Sequence, residues 1–154
     1  MQRREVLKAG VGLGVFGALV GSGFLQPRTV HAARQMENAF QAKKLEEALQ
    51  ALGAANAAES GDVVLTAPDI AENGAVVPME IESKLPNTEA IALFIEKNPN
   101  PLAAVFHLTP DALPRVKTRV KMGQSSDVVA VVKAGGKYYM TKKEVKVTLG
   151  GCGG

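Results

Sequence analysis

The sequence holds one cysteine, Cys152, set between two glycine pairs, Gly150-Gly151 and Gly153-Gly154. A thiolate is a nucleophile whose sulfur–sulfur bonds form and break by exchange. Free cysteines are mostly buried as small hydrophobes, but glycines offer no side chain to bury and adopt backbone angles that other residues avoid. Chain ends are poorly ordered unless tied down. The expectation is a thiol on a flexible arm made of Gly150, Gly151, Gly153 and Gly154, presented to something else. Cys152 lies three residues beyond Leu149, a reach of about 10 Å at ~3.3–3.6 Å per extended residue. With no neighbouring side chains, the tip is thin enough for a narrow channel. The bland alternative, a frayed end with an accidental cysteine, runs against the general avoidance of exposed free thiols.

The rest of the sequence supplies no enzyme machinery. Activation of a catalytic cysteine usually needs a neighbouring base. His31 falls in an expected leader, so His107 is the remaining histidine, within Ala103-Ala104-Val105-Phe106-His107-Leu108, and it reads as an ordinary strand residue. One Cys and one His fall short of a metal site. Asp69 and Glu72 beside Asn73-Gly74 read as turn and capping residues, Glu80 and Glu82 as the wet face of a strand, and Met79, Met122 and Met140 as core. P-loop, GxSxG and HExxH patterns are missing. An unperturbed thiol of pKa about 8.5 is only a few per cent ionised near neutrality, so activation must come from other proteins. No catalytic residue, metal site or cofactor of the chain's own is expected.

Residues 1–32 read as an export leader. Arg3-Arg4 precede Val6-Leu7, a glycine-broken apolar run spans 9–25, and Val30-His31-Ala32 offers a small-residue cleavage site. The paired arginines fit the twin-arginine type. The run is too broken and too short for the ~20 strongly apolar residues of a spanning helix, so no membrane attachment is expected after cleavage. An oxidising compartment favours disulfides, yet a lone cysteine can form one only with another molecule. The whole chain carries 18 Lys and Arg against 15 Asp and Glu. The leader takes Arg3, Arg4, Lys8, Arg28 and Glu5, leaving fourteen of each sign, which removes the case for nucleic-acid binding. Residues 34–111 carry five basic and twelve acidic side chains; residues 112–154 carry nine and two. The half bearing the thiol is therefore basic, suited either to steering anions or simply to keeping strands solvated. Lys142, Lys143 and Lys146 pose that question most sharply.

Residues 33–61 read as a helix ending near Gly53, followed by a small polar linker from Asn56 to Gly61; Met36, Phe40, Leu45, Leu49 and Leu52 recur at helical spacing. Residues 62–149 read as about seven short strands: 63–65, 76–81, 90–95, 103–108, 116–122, 128–132 and 138–149. Asn73-Gly74 and Gly135-Gly136 are expected hairpin pairs, and Asn98-Pro99-Asn100-Pro101 a loop. Tyr138 and Tyr139 should point to opposite faces. The pattern predicts a mainly β protein, an immunoglobulin-like antiparallel sandwich with an N-terminal helix. Its last strand runs into the glycine arm of residues 150–154.

These features resemble the SoxY family, the sulfur-carrier subunits of periplasmic thiosulfate-oxidising (Sox) systems. The resemblance rests on the twin-arginine start, Ala67-Pro68-Asp69-Ile70-Ala71-Glu72-Asn73-Gly74, Val77-Pro78, Glu96-Lys97-Asn98-Pro99-Asn100-Pro101-Leu102, Thr118-Arg119-Val120-Lys121 and, most specifically, Gly150-Gly151-Cys152-Gly153-Gly154. Val6 and Gln2 depart from the commonest form of the export motif. The resemblance implies an immunoglobulin-like subunit that pairs with a SoxZ-like subunit in a heterodimer and holds its substrate covalently on Cys152. It further implies a haem-containing protein that joins thiosulfate to the thiol, a hydrolase that releases sulfate, and, in some systems, a molybdenum–haem sulfur dehydrogenase that oxidises the remaining persulfide. Two other readings stand beside it: a ubiquitin-like sulfur donor acting through Gly153-Gly154, and an exported binding sandwich whose cysteine makes an intermolecular disulfide.

Overall fold

The protein is described by a computed structural model over residues 28–148. The expected Arg3-Arg4 signal, Leu149 and the whole segment 150–154, with Cys152, lie outside the described residues. The chain divides between Arg34 and Gln35, and the β-structure belongs entirely to the second unit. Two helices, α1 (Arg28–Gln41) and α2 (Leu45–Ala51), precede nine strands: β1 (Ala58–Glu59), β2 (Val63–Thr66), β3 (Ile70–Ala71), β4 (Val77–Ser83), β5 (Thr88–Ile95), β6 (Leu102–His107), β7 (Arg115–Val120), β8 (Ser126–Ala134) and β9 (Lys137–Val147).

The single expected helix over 33–53 is two helices, with α1 already under way at Arg28. The break falls at 42–44, where Asn100 reaches across from the β5–β6 loop. Its Nδ2 donates to the carbonyls of Phe40 (3.0 Å) and Ala42 (3.3 Å). This occupies acceptors that a helix end leaves open. Gly53 ends α2 as expected. With φ +77°, it lets Gly53 N–H donate to Gln50 O and Ala54 N–H to Leu49 O, the paired bonds of a Schellman stop. Phe40, on the expected apolar stripe, is 39% exposed; the fully buried helical residues are Ala39 and Ala48, small enough for close approach to a sheet.

The strands form two sheets. The larger runs β1-β9-β8-β5-β6, with β3 also on β9; the smaller runs β2-β4-β7. All seven expected strands are present, but the purely antiparallel expectation needs correction. β1 and β3 both pair parallel to β9, through Ala58↔Tyr139 and Ile70↔Lys146, and β1 lies inside the expected linker. The hairpin expected at Asn73-Gly74 is also corrected. β3 and β4 do not pair, and Asn73 Oδ1 instead accepts from Ala75 N–H at 3.0 Å, a local Asx turn. Gly135-Gly136 is a true hairpin, both residues at positive φ between β8 and β9, as a two-residue turn of that type requires.

The second unit has three layers. Ile91, Leu93 and Ile95 of β5 and Val128, Ala130 and Val132 of β8 face the smaller sheet, meeting Val77, Met79, Ile81 and Val120. The alternate residues Ala92, Phe94, Val129 and Val131 face Ala39, Ala48 and Ala54 on the helical side. Burial on both faces explains why these strands read as unbroken apolar runs. Tyr139 packs into the first cluster and Tyr138 into the second, so they do take opposite faces, and Tyr138 Oη donates to Leu52 O at 2.9 Å, tying the end of α2 to β9.

Candidate carrier site

β9 delivers the chain to the glycine segment. Its last turnless stretch is held from both sides. Toward β3, Lys146 N–H donates to Asp69 O (3.0 Å) and Thr148 N–H to Ala71 O (3.1 Å). Toward β8 the ladder stops at Ser126↔Val145, and the Ser125 hydroxyl takes over. Ser125 Oγ accepts from Val147 N–H at 2.8 Å. Every backbone donor from 146 to 148 is thus satisfied. Val145, fully buried, fixes the strand in the inter-sheet core. Cys152 lies four residues past Thr148, so its Cα can lie no more than about 13–14 Å from the last held residue.

Lys143 supports the β3 flank. Its Nζ donates to Ala67 O and lies 3.0 Å from Asp69 Oδ1. That lysine therefore holds the 67–69 loop against β9, while Lys142 and Lys146 are exposed. The surrounding loops are stitched to one another. Asn98 Nδ2 donates to Lys121 O (2.8 Å) and Asn98 Oδ1 accepts from Gly123 N–H (3.2 Å). Met122 N–H donates to Gly74 O at 2.7 Å. The Asn-Pro-Asn-Pro segment, legible in sequence only as a loop, thus uses Asn98 to hold the β7–β8 loop and Asn100 to close α1.

The basic half is less free than its count implies. Arg115 pairs with Glu80 (2.6 Å) and Glu82 (3.4 Å), and Lys117 with Glu80 (3.3 Å). These are cross-strand pairs of β4 and β7, confirming the wet-face reading of the two glutamates. Arg119, Lys121, Lys142 and Lys146 make no ion pair among the described residues. A groove of about 710 Å³ over β4 and β7 is lined by Pro68, Pro78, Glu80, Lys117 and Arg119 among others, and none of its lining groups is a cysteine, serine or histidine. His107 ends β6, exposed, three strands from β9, about 14 Å away at ~4.8 Å per strand. No group of three or more His, Cys, Asp or Glu side chains among the described residues could hold a metal. No described helix is long and apolar enough to cross a membrane. Sequence reasoning missed Ser125 and β3; a Ser-Ser pair after Gly123 signals only a turn, and a two-residue strand carries no periodicity.

The described residues thus give a two-sheet sandwich whose last strand is secured up to Thr148, four residues before Cys152 in the sequence. The family described as "Sulfur oxidation protein SoxY" matches residues 48–152. Among solved structures, the sulfur carrier protein SoxY from Chlorobium limicola f thiosulfatophilum is 39% identical, with 72% of this chain and 97% of that chain covered and a TM-score of 0.63. Two superoxide reductase (neelaredoxin) structures from Ignicoccus hospitalis, both of single-substitution variants, share the fold at 18% and 21% identity, each with a TM-score of 0.51. The first covers 59% of this chain and 83% of its own; the second, 64% and 87%. No curated protein matches the chain. The chain belongs to the SoxY family of sulfur-oxidation proteins, whose members are carriers rather than enzymes.

Proposed function

We propose that this protein carries sulfur intermediates of thiosulfate oxidation on Cys152 in the periplasm, with Gly150, Gly151, Gly153 and Gly154 as the carrier arm. The observation that carries this reading is family membership extending through Cys152 itself. Further support comes from the root of the arm, where Ser125 and β3 secure β9 as far as Thr148.

The chemistry runs through one sulfur atom. A haem-containing partner removes two electrons as the Cys152 thiolate joins the outer sulfur of thiosulfate, giving R–S–S–SO3⁻. A partner hydrolase adds water and releases sulfate and two protons, leaving the persulfide R–S–S⁻. A molybdenum–haem dehydrogenase, in systems that have one, takes six electrons from the persulfide with three waters, giving R–S–SO3⁻ and six protons. A second hydrolysis releases sulfate and returns the thiolate. The carrier contributes the leaving sulfur and keeps each intermediate at high local concentration for the next site.

The partner subunit in this reading is SoxZ-like, and the sandwich is immunoglobulin-like. For the latter, support lies in the order β2-β4-β7 against β5-β8-β9, which follows the arrangement of strands A-B-E and C-F-G. Residues 1–32 act as a twin-arginine leader, so Arg3→Lys with Arg4→Lys should leave unprocessed precursor in the cytoplasm, as fractionation would show.

The reading is tested by comparing thiosulfate-dependent oxygen uptake in cells with wild-type and Cys152→Ser protein. Loss of uptake with a folded variant supports it; retained uptake returns the cysteine to a structural or disulfide role. A C-terminal thiocarboxylate on the purified protein would favour the ubiquitin-like donor.

A further inference from the structure

The chain holds asparagines at 38, 56, 73, 87, 98 and 100, and asparagine is among the thermally labile residues. Its side-chain carboxamide is open to attack by the backbone nitrogen of the next residue, so the fate of each asparagine depends on that nitrogen. The nitrogens of Pro99 and Pro101 carry no hydrogen to lose. Ala39 lies inside α1, where its N–H is committed to the helix ladder. Ala57 N–H donates to Ala54 O at 3.1 Å. Thr88 opens β5 and sets a branched side chain beside its nitrogen. Gly74 differs on every count. It bears no side chain, lies in no helix or strand, and its N–H has no acceptor among the described residues.

The Asx turn brings the two reacting groups together. Asn73 Oδ1 accepts from Ala75 N–H at 3.0 Å. This folds the carboxamide back over the intervening peptide and sets its Cγ against Gly74 N, as a near-attack geometry requires. The same N–H draws charge onto Oδ1 and leaves Cγ more electrophilic, in the way an oxyanion donor does. Asn73 is exposed, so water reaches it. We propose that Asn73 is a site of spontaneous deamidation in the folded protein. Gly74 N bonds to Cγ, its proton passes through water to the departing amide nitrogen, and ammonia leaves behind a cyclic succinimide. Water then opens either carbonyl of the ring, giving aspartate or isoaspartate. The balance is one water taken up and one ammonia released. Both products add a carboxylate next to Glu72, whose backbone O accepts from Thr148 Oγ1 at 3.5 Å. Isoaspartate also lengthens the main chain between residues 73 and 74 by one carbon. Gly74 O accepts from Met122 N–H at 2.7 Å, so that lengthening loads the bond that holds the β7–β8 loop, three residues before Ser125. The inference does not rest on the carrier reading.

The test is peptide mapping by mass spectrometry of the folded full chain held at mildly alkaline pH, with electron-based fragmentation to separate isoaspartate from aspartate. The expected result is a replacement of amide by acid that begins at Asn73 and precedes any change at the other asparagines. In the isoaspartate fraction, the Met122 amide loses protection against hydrogen exchange. Ala75→Pro removes the N–H that Asn73 Oδ1 accepts, in an exposed turn, and slows the conversion several-fold. The proposal is overturned if Asn73 outlasts another asparagine, or if it converts only once denaturant has unfolded the chain. A rate unaltered in Ala75→Pro overturns the part assigned to the turn, and an unchanged Met122 amide in the isoaspartate fraction overturns the link to the β7–β8 loop.

Discussion

The two edges of the larger sheet are built in opposite ways. The β9 edge is overlaid at both ends by two-residue parallel strands, β1 and β3, and its final donors are taken up by Asp69, Ala71 and Ser125. Among the described residues no strand pairs with the outer side of β6, which carries no Asp, Glu, Lys or Arg and is bulged only at its start. The difference matches what each edge is free to do. A strand that leads to the proposed carrier arm gains from having its last backbone donors occupied, because an open ladder there would capture the segment that follows or another strand. The middle of the sheet is common to both: β5 and β8 are buried on two faces and lie between the two edges.

The comparison can be broken at several strengths. The largest effect belongs to Phe94, fully buried under the helices between the two edges. Phe94→Ala should cost about 3–5 kcal/mol, read from denaturant unfolding, and should loosen β6 and β9 together; exchange that rises at one edge alone would show that the edges are independent. Next is the arm's root. Ser125→Ala removes the acceptor of Val147 N–H and should cost about 1 kcal/mol. Amide exchange should speed up locally at Val147 while the β5 amides stay protected. Unchanged exchange at Val147 would mean that β3 alone holds the root. Lys143→Met should do less, within about 1 kcal/mol because its side chain is 34% exposed and the Asp69 pair faces water; its effect should appear in the 67–71 amides and not at Ser125. The smallest effect is electrostatic. Lys142→Gln with Lys146→Gln should leave stability unchanged and flatten the salt dependence of thiosulfate loading. An unaltered salt profile would assign these lysines to solubility.

Much of the fold was legible in sequence, and the missing parts share a cause. Alternation in Arg115–Val120 and Lys143–Val147 marked strands with one wet face, Gly53 marked a helix stop and Gly135-Gly136 a hairpin, because each signal is local. The break at 42–44 was not legible, since its partner Asn100 lies nearly sixty residues away. β1 and β3 escaped notice because their pairing depends on register with β9 and not on any pattern of their own. The three-layer arrangement was hidden for the same reason: Val128–Val132 reads as an apolar run whether its second face meets a sheet, a helix or nothing. Cys152, by contrast, stands out from composition alone, since it is the one cysteine in the sequence and has glycines on both sides.

The most direct test of the central claim is site-resolved mass spectrometry of the reduced, purified chain incubated with thiosulfate, the haem-containing conjugating partner and an electron acceptor. A covalent thiosulfonate confined to Cys152, converted to a persulfide when the sulfate-releasing hydrolase is added, is the predicted result. A chain that stays unmodified at Cys152 while the same partners oxidise thiosulfate would contradict it.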